Sequence, residues 1–140
     1  MRPDERIGPK FLLYHDVVAV ADGDERRAQD AFRAQLAVIS GLGYRFVPMS
    51  AFVAGERRVP RDAIVTVDDG ARSFINCMLP VLREFEAPAT VFILTDFMGR
   101  KGAQVEFMSW GDVEDLAAEN VEFGCHGVTH VPFDQVGPNG

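Results

Sequence analysis

An α/β fold of parallel strands alternating with helices is predicted by three features of the sequence. Short apolar runs rich in β-branched residues alternate with stretches whose apolar residues recur at helical spacing. Several runs stop abruptly at polar groups, as Ile64-Val65-Thr66-Val67 does at Asp68-Asp69-Gly70. The succession strand, helix, strand, short helix, strand, helix, strand, helix, strand implies right-handed crossovers in a barrel or a doubly wound layer.

Phe11-Leu12-Leu13-Tyr14 reads as a first buried strand closed by His15-Asp16. Asp22-Gly23-Asp24 gives turn and N-cap signals, and Ala28, Ala31, Phe32, Leu36 and Ile39 form one stripe of a helix from about Glu25 to Ser40. Gly41 and Gly43 end it. Tyr44-Arg45-Phe46-Val47 is a short strand broken by Pro48, and Ser50 is placed to cap a brief helix through Val53 before the turn at Gly55. Ile64, Val65 and Val67 then mark the central strand, stopped by Gly70. Phe74, Cys77, Met78, Val81, Leu82 and Phe85 share a helix face, and Pro80 within it predicts a kink or restart because proline has no N–H to donate.

Ala87-Pro88 closes that helix, and Ala89-Thr90-Val91-Phe92-Ile93-Leu94 is a buried strand. Phe97 to Phe107, with Gly99 and Gly102, is a loop of a length that often covers a site. Ser109-Trp110-Gly111-Asp112 has capping-box form, with Val113, Leu116 and Ala117 giving the following helix an apolar side. Val121-Glu122-Phe123 is the last strand, and Gly124-Cys125-His126-Gly127-Val128-Thr129-His130 follows directly.

A chain of 140 residues with 47% hydrophobic content buries one ordinary core, and no repeat or linker argues for a second domain. The net charge of −7 argues against a long basic groove for a nucleic-acid backbone. Cys77 and Cys125 are too few for a disulfide framework and lack metal spacing with each other. The stretch Met1 to Arg6 carries acids and a proline and leads to only a short apolar run. Neither a signal peptide nor a membrane span is read there, and a soluble, cytoplasmic protein is the expectation.

His15-Asp16, Asp68-Asp69 and His126 all follow strands, and in a parallel sheet those ends share one rim, where ligands and catalytic groups gather. An aspartate with two histidines makes a three-ligand metal set that leaves one position for water, and zinc suits such donors. The second aspartate is then available as general base. The alternative is that the aspartates merely cap the next helix, and His-x-x-x-His alone is a weak signal. Successive strand side chains point to opposite faces, so Asp68 and Asp69 can cooperate only if the chain turns at Gly70. Gly127, Val128 and Thr129 favour a loop over a helix between the histidines.

Thr66-Val67-Asp68-Asp69-Gly70, Ala89-Thr90-Val91-Phe92, Met108-Ser109-Trp110 and His126-Gly127-Val128-Thr129-His130, in that succession, resemble the NodB-homology domain of polysaccharide deacetylases, carbohydrate esterase family 4. Leu13-Tyr14-His15 is similar to the opening strand of many members. The resemblance makes residues 1–10 an N-terminal tail and residues 11–140 a NodB-homology domain whose C-terminal part is missing. It implies the N-terminal part of a distorted (β/α) barrel, Asp68 as general base, and Asp69, His126 and His130 as ligands of zinc, cobalt or nickel. The implied reaction removes acetyl groups from N-acetylated carbohydrate. His15 would either touch substrate or support the site from the rim, or simply be hydrogen-bonded at a strand end.

Four departures accompany the resemblance. Val67 replaces a frequent phenylalanine, Ala71 a frequent aromatic or polar residue, and Gly127 a serine or threonine whose hydroxyl can brace the metal loop. The family's later motifs, which hold an arginine-proline segment, an aspartate and a general-acid histidine, are absent, and all three histidines already have other places. About 200 residues is the low end for a complete barrel, so exposed sheet edges and self-association through them are expected. An amidohydrolase of purine breakdown and a non-catalytic module that binds metal or glycan are the alternative functions.

Overall fold

Five parallel strands carry the candidate site: β1 (Lys10–Tyr14), β2 (Arg45–Phe46), β3 (Asp62–Val67), β4 (Ala89–Ile93) and β5 (Val121–Cys125). In the computed structural model, which describes residues 8–16, 25–55, 60–102 and 105–136, they are ordered β1-β3-β4-β5, with β2 beside the first residues of β3. Tyr14 lies beside Val67, Val67 beside Val91 and Val91 beside Phe123, so the carboxyl ends form a single rim. The helices are α1 (Glu25–Gly41), α2 (Met49–Ala54), α3 (Leu79–Glu84) and α4 (Trp110–Leu116). Among the described residues, no helix is long and apolar enough to cross a membrane. The cap expected at Asp22 to Asp24, the stretch Met1 to Arg6 and the tail Gly137 to Gly140 lie outside the described residues.

The main core forms on one sheet face, where Val65, Val67, Val91, Ile93 and Val121 meet Phe32 and Leu36 of α1 and Val81 and Leu82 of α3. Full burial of each such side chain stabilises the fold by roughly 1.5–3 kcal/mol. All six residues of β3 are buried, because α2 approaches the second face as well. Phe52 of α2 meets Phe11 edge to face at 5.2 Å, and the Ser50 N–H donates to Glu122 at 3.2 Å. Ser50 is therefore not the N-cap that the sequence suggests. Pro48 holds that position, and the Ser50 hydroxyl bonds Glu122 instead.

The helical pattern from Phe74 to Phe85 is split, as Pro80 requires. A π-helical turn over Phe74–Met78 leads into α3, which starts at Leu79 and puts Pro80 in its first turn, where no donor is needed. The Asn76 carbonyl, four residues before the proline, instead accepts from the Gln29 side chain at 2.8 Å. The Gln29 side chain thus satisfies the carbonyl that the break frees.

The capping box at α4 is present. Ser109 Oγ accepts from the Asp112 N–H at 3.1 Å, and Asp112 Oδ2 accepts from the Ser109 N–H at 2.7 Å and from Arg72 at 2.6 Å. Burial works to raise the Asp112 pKa, but the bonds from Ser109 and Arg72 outweigh it and hold this carboxyl below its ordinary value. A depressed carboxylate pKa contributes stability above the unfolded pKa and loses it as pH falls through the folded one. Asp112→Asn is therefore expected to cost about 1 kcal/mol in urea unfolding at neutral pH, with the gap to wild type closing below about pH 4. A gap independent of pH would contradict the assignment.

Candidate functional site

β3 ends at Val67, before both acids, although the Asp68 N–H still donates to the Tyr14 carbonyl at 2.8 Å. The chain then turns through two left-handed residues, Asp69 at φ 73° and Gly70 at φ 78°. Glycine suits position 70 for that φ, and a Cβ there would also crowd the Ile93 side chain at 3.1 Å. The turn removes the alternation that would have separated the acids. Asp69 Oδ1 lies 3.5 Å and Asp68 Oδ2 3.9 Å from the same atom, His126 Nε2.

His126 extends the β4–β5 ladder, its N–H donating to the Ile93 carbonyl at 2.8 Å. The next residues form a loop, as expected, in which Gly127 has φ 91° and His130 φ 61°. Backbone bonds replace the hydroxyl that Gly127 lacks. The Gly127 and Val128 carbonyls accept from the Thr95 and Asp96 N–H groups at 3.2 and 3.1 Å. Asp69 and His130 are two of the three non-glycine residues with positive φ among those described, and such conformations cost free energy that concentrates at functional sites.

Asp69, His126 and His130 each present a ligand atom, all within 4.8 Å of one another, and His130 Nε2 is also 3.5 Å from Asp69 Oδ1. At that separation neither imidazole hydrogen-bonds the carboxylate, and Asp69 Oδ1 is buried with no hydrogen-bond partner. Two donors bound tetrahedrally at about 2.1 Å from one ion are about 3.4 Å apart. The spacing and the orphaned oxygen both fit a shared divalent cation.

His15 Nε2 is 3.9 Å from Asp68 Oδ2, too far for a hydrogen bond. A cavity of about 200 Å³ joins His15 and Asp16 to Asp69 and His130 and is also lined by Leu94, Phe97 and Phe107. A second cavity, of about 390 Å³ beside Arg83 and Glu119, is bordered by none of the predicted site residues. The sequence places Asp16 on the rim and the Phe97 to Phe107 loop over a site, but gives neither phenylalanine side chain a place in the lining. The loop that carries the two phenylalanines folds back on itself, with Ala71 bridging Phe107, Lys101 bridging Glu106, and the Met108 N–H donating to the Gly70 carbonyl at 3.0 Å. The aromatic surface that Ala71 does not provide is thus supplied by its neighbours across this bridge.

The polysaccharide deacetylase family model matches residues 55–139. Among solved structures, IcaB from Ammonifex degensii superposes with a TM-score of 0.72 at 28% identity, over 85% of this chain and 52% of that one. The BpsB deacetylase domain from Bordetella bronchiseptica gives 0.61 at 26% identity, over 90% and 57%. The Streptococcus pyogenes deacetylase PplD, in complex with acetate, gives 0.74 at 23% identity, over 93% and 61%, a likeness of fold. This chain therefore spans between 52% and 61% of the length of these three structures. Comparison with curated protein sequences finds no match.

Proposed function

This chain belongs to the polysaccharide deacetylase family, and we propose on that premise that it is a metal-dependent hydrolase that removes acetyl groups from N-acetylated carbohydrate. In this reading residues 11–140 are part of one NodB-homology domain. The observation that carries the reading is the buried Asp69 Oδ1, with no hydrogen-bond partner and 3.5 Å from both imidazoles. Asp69, His126 and His130 hold the ion, for which zinc is best suited, with cobalt or nickel as other occupants. The chemistry such an ion supplies is a water pKa lowered to about 7 and polarisation of the acyl carbonyl.

Asp68 stands beside this set without belonging to it and takes the water's proton as general base, a role worth roughly 10²–10⁴ in rate. The amine that leaves needs a proton in return. His15 borders the same cavity, is half exposed and lies 3.9 Å from Asp68. Imidazole can hold and hand on a proton, and His15 is the histidine of this cavity outside the ligand set, so it is assigned that donation. This differs from the expectation that no histidine is left for the task. Two histidines suffice for the ligand set, and the first strand delivers the third to the same rim.

The zinc-loaded chain is expected to release acetate from N-acetylglucosamine oligomers, to lose that activity on chelation, and to regain it with zinc or cobalt. Release of acetate unaffected by the chelator would contradict the metal assignment. Retention of zinc with no acetate from any N-acetylated sugar would leave only a binding module.

A further inference from the structure

We propose that the cavity of about 390 Å³ at the opposite end of β4 and β5 from the candidate metal centre binds a small alkylammonium ion, its chain on Leu79, Leu82 and Val121 and its charge against Glu86. The cavity lies where both strands begin, beside Ala87 and Asn120, and the proposal stands independently of the deacetylase reading. Its volume falls within the roughly 300–1,000 Å³ of small-molecule sites. Leu79, Leu82 and Val121 are buried and give it an apolar floor. Arg83 donates to both carboxylate oxygens of Glu119, at 2.9 and 2.6 Å, so these two charges cancel on one wall. Glu86 is left as the net negative charge of the lining, and among the described residues its carboxylate has no hydrogen-bond or ion-pair partner.

The backbone of Glu86 points the same way. The Ala87 N–H donates to the Leu82 carbonyl at 2.9 Å and the Glu86 N–H to the Arg83 carbonyl at 3.2 Å, a Schellman ending that makes Glu86 the left-handed residue after α3, at φ 49°. Glycine is the usual occupant of that place, because a Cβ costs free energy there. A carboxylate is disfavoured as well, since the carbonyl end of a helix is the negative end of its dipole. Position 86 thus carries two local costs that no hydrogen bond or ion pair among the described residues offsets. Asp69 and His130, the other two non-glycine residues with positive φ among those described, are both candidate metal ligands. An ammonium group at Glu86 answers the carboxylate and the helix end with the charge both favour, and the aliphatic chain behind it displaces water from the apolar floor.

Proton–nitrogen NMR titration of the zinc-loaded full chain tests this, with pentylammonium as the probe and pentan-1-ol and pentanoate as its neutral and anionic counterparts. Pentylammonium is expected to bind saturably and to shift the amide signals of Ala87, Asn120 and Val121, with both counterparts about tenfold weaker or more. Glu86→Gln, which removes the charge alone, should weaken pentylammonium about tenfold. Glu114→Gln, which removes an equal charge from an exposed position of α4, should leave its affinity within about twofold. Glu86→Gly should lose the same binding and yet raise the melting temperature of the ligand-free chain by a few degrees, because glycine fits the left-handed backbone. The absence of a saturable shift at the three amides, equal affinity in wild type and Glu86→Gln, or tighter binding of pentanoate overturns the proposal. So does a Glu86→Gly chain that melts below wild type. An equal loss from Glu114→Gln would also overturn it, by reducing the effect to attraction by the net charge of −7.

Discussion

Asp69→Asn is expected to strip the chain of its divalent ion while leaving the fold in place. Asparagine has the shape of aspartate and is, like it, among the residues that tolerate the left-handed backbone found at this position, φ 73°. The oxygen that would be lost as an anion has no hydrogen-bond partner in the protein, so the substitution breaks no hydrogen bond there. Metal affinity behaves oppositely, because the carboxylate is the one anionic member of the set and the only one 3.5 Å from both imidazoles. Its loss should cost more than the 10–100-fold typical of an outer partner of a ligand. Zinc content after dialysis against a weak chelator, with thermal melting of the metal-free proteins alongside, reads both effects. An Asp69→Asn chain that retains zinc as firmly as wild type would contradict the ligand set, as would retention by His126→Ala or His130→Ala.

Asp68→Asn should show the complementary phenotype: full zinc content, with acetate release lowered by roughly 10²–10⁴. Asp68 is outside the ligand set, and its Oδ2 lies 3.9 Å from both His15 and His126. The loss belongs in kcat, with KM little changed, because the proton moves only as the reaction proceeds. His15→Gln separates the two ends of the transfer. An amide leaves as an amine and needs a proton, whereas an activated aryl acetate leaves as a stable anion. His15→Gln should therefore slow deacetylation of the sugar far more than hydrolysis of the ester, and Asp68→Asn should slow both. Equal losses on the two substrates for His15→Gln would remove it from the proton-donor role.

Much of this arrangement is legible in the sequence because it depends on where strands stop. Apolar runs that end in His15-Asp16, Asp68-Asp69 and His126 are sufficient to place those groups on one rim once the strands are parallel, and the registers bear this out. The capping box at Ser109 and the interruption at Pro80 are likewise local consequences of side-chain chemistry. What the sequence does not yield are features decided by contacts far along the chain. Ser50 looks like a cap but bonds Glu122, 72 residues away, because α2 approaches the second face of the sheet. The left-handed conformation of Asp69 is only weakly signalled by residue type, since aspartate tolerates it but adopts it where neighbours impose it. Phe97 and Phe107 read as loop residues until the bridge to Ala71 folds them toward the acids.

Anomalous diffraction at the zinc edge, from crystals of the zinc-loaded chain, decides whether these distant stretches share one cation. A single strong peak is predicted, about 2.0–2.2 Å from Asp69 Oδ1 and from one nitrogen each of His126 and His130, with Asp68 unbound. A peak held by other residues, or an Asp69 carboxylate turned away from both imidazoles with no ion between them, would contradict it.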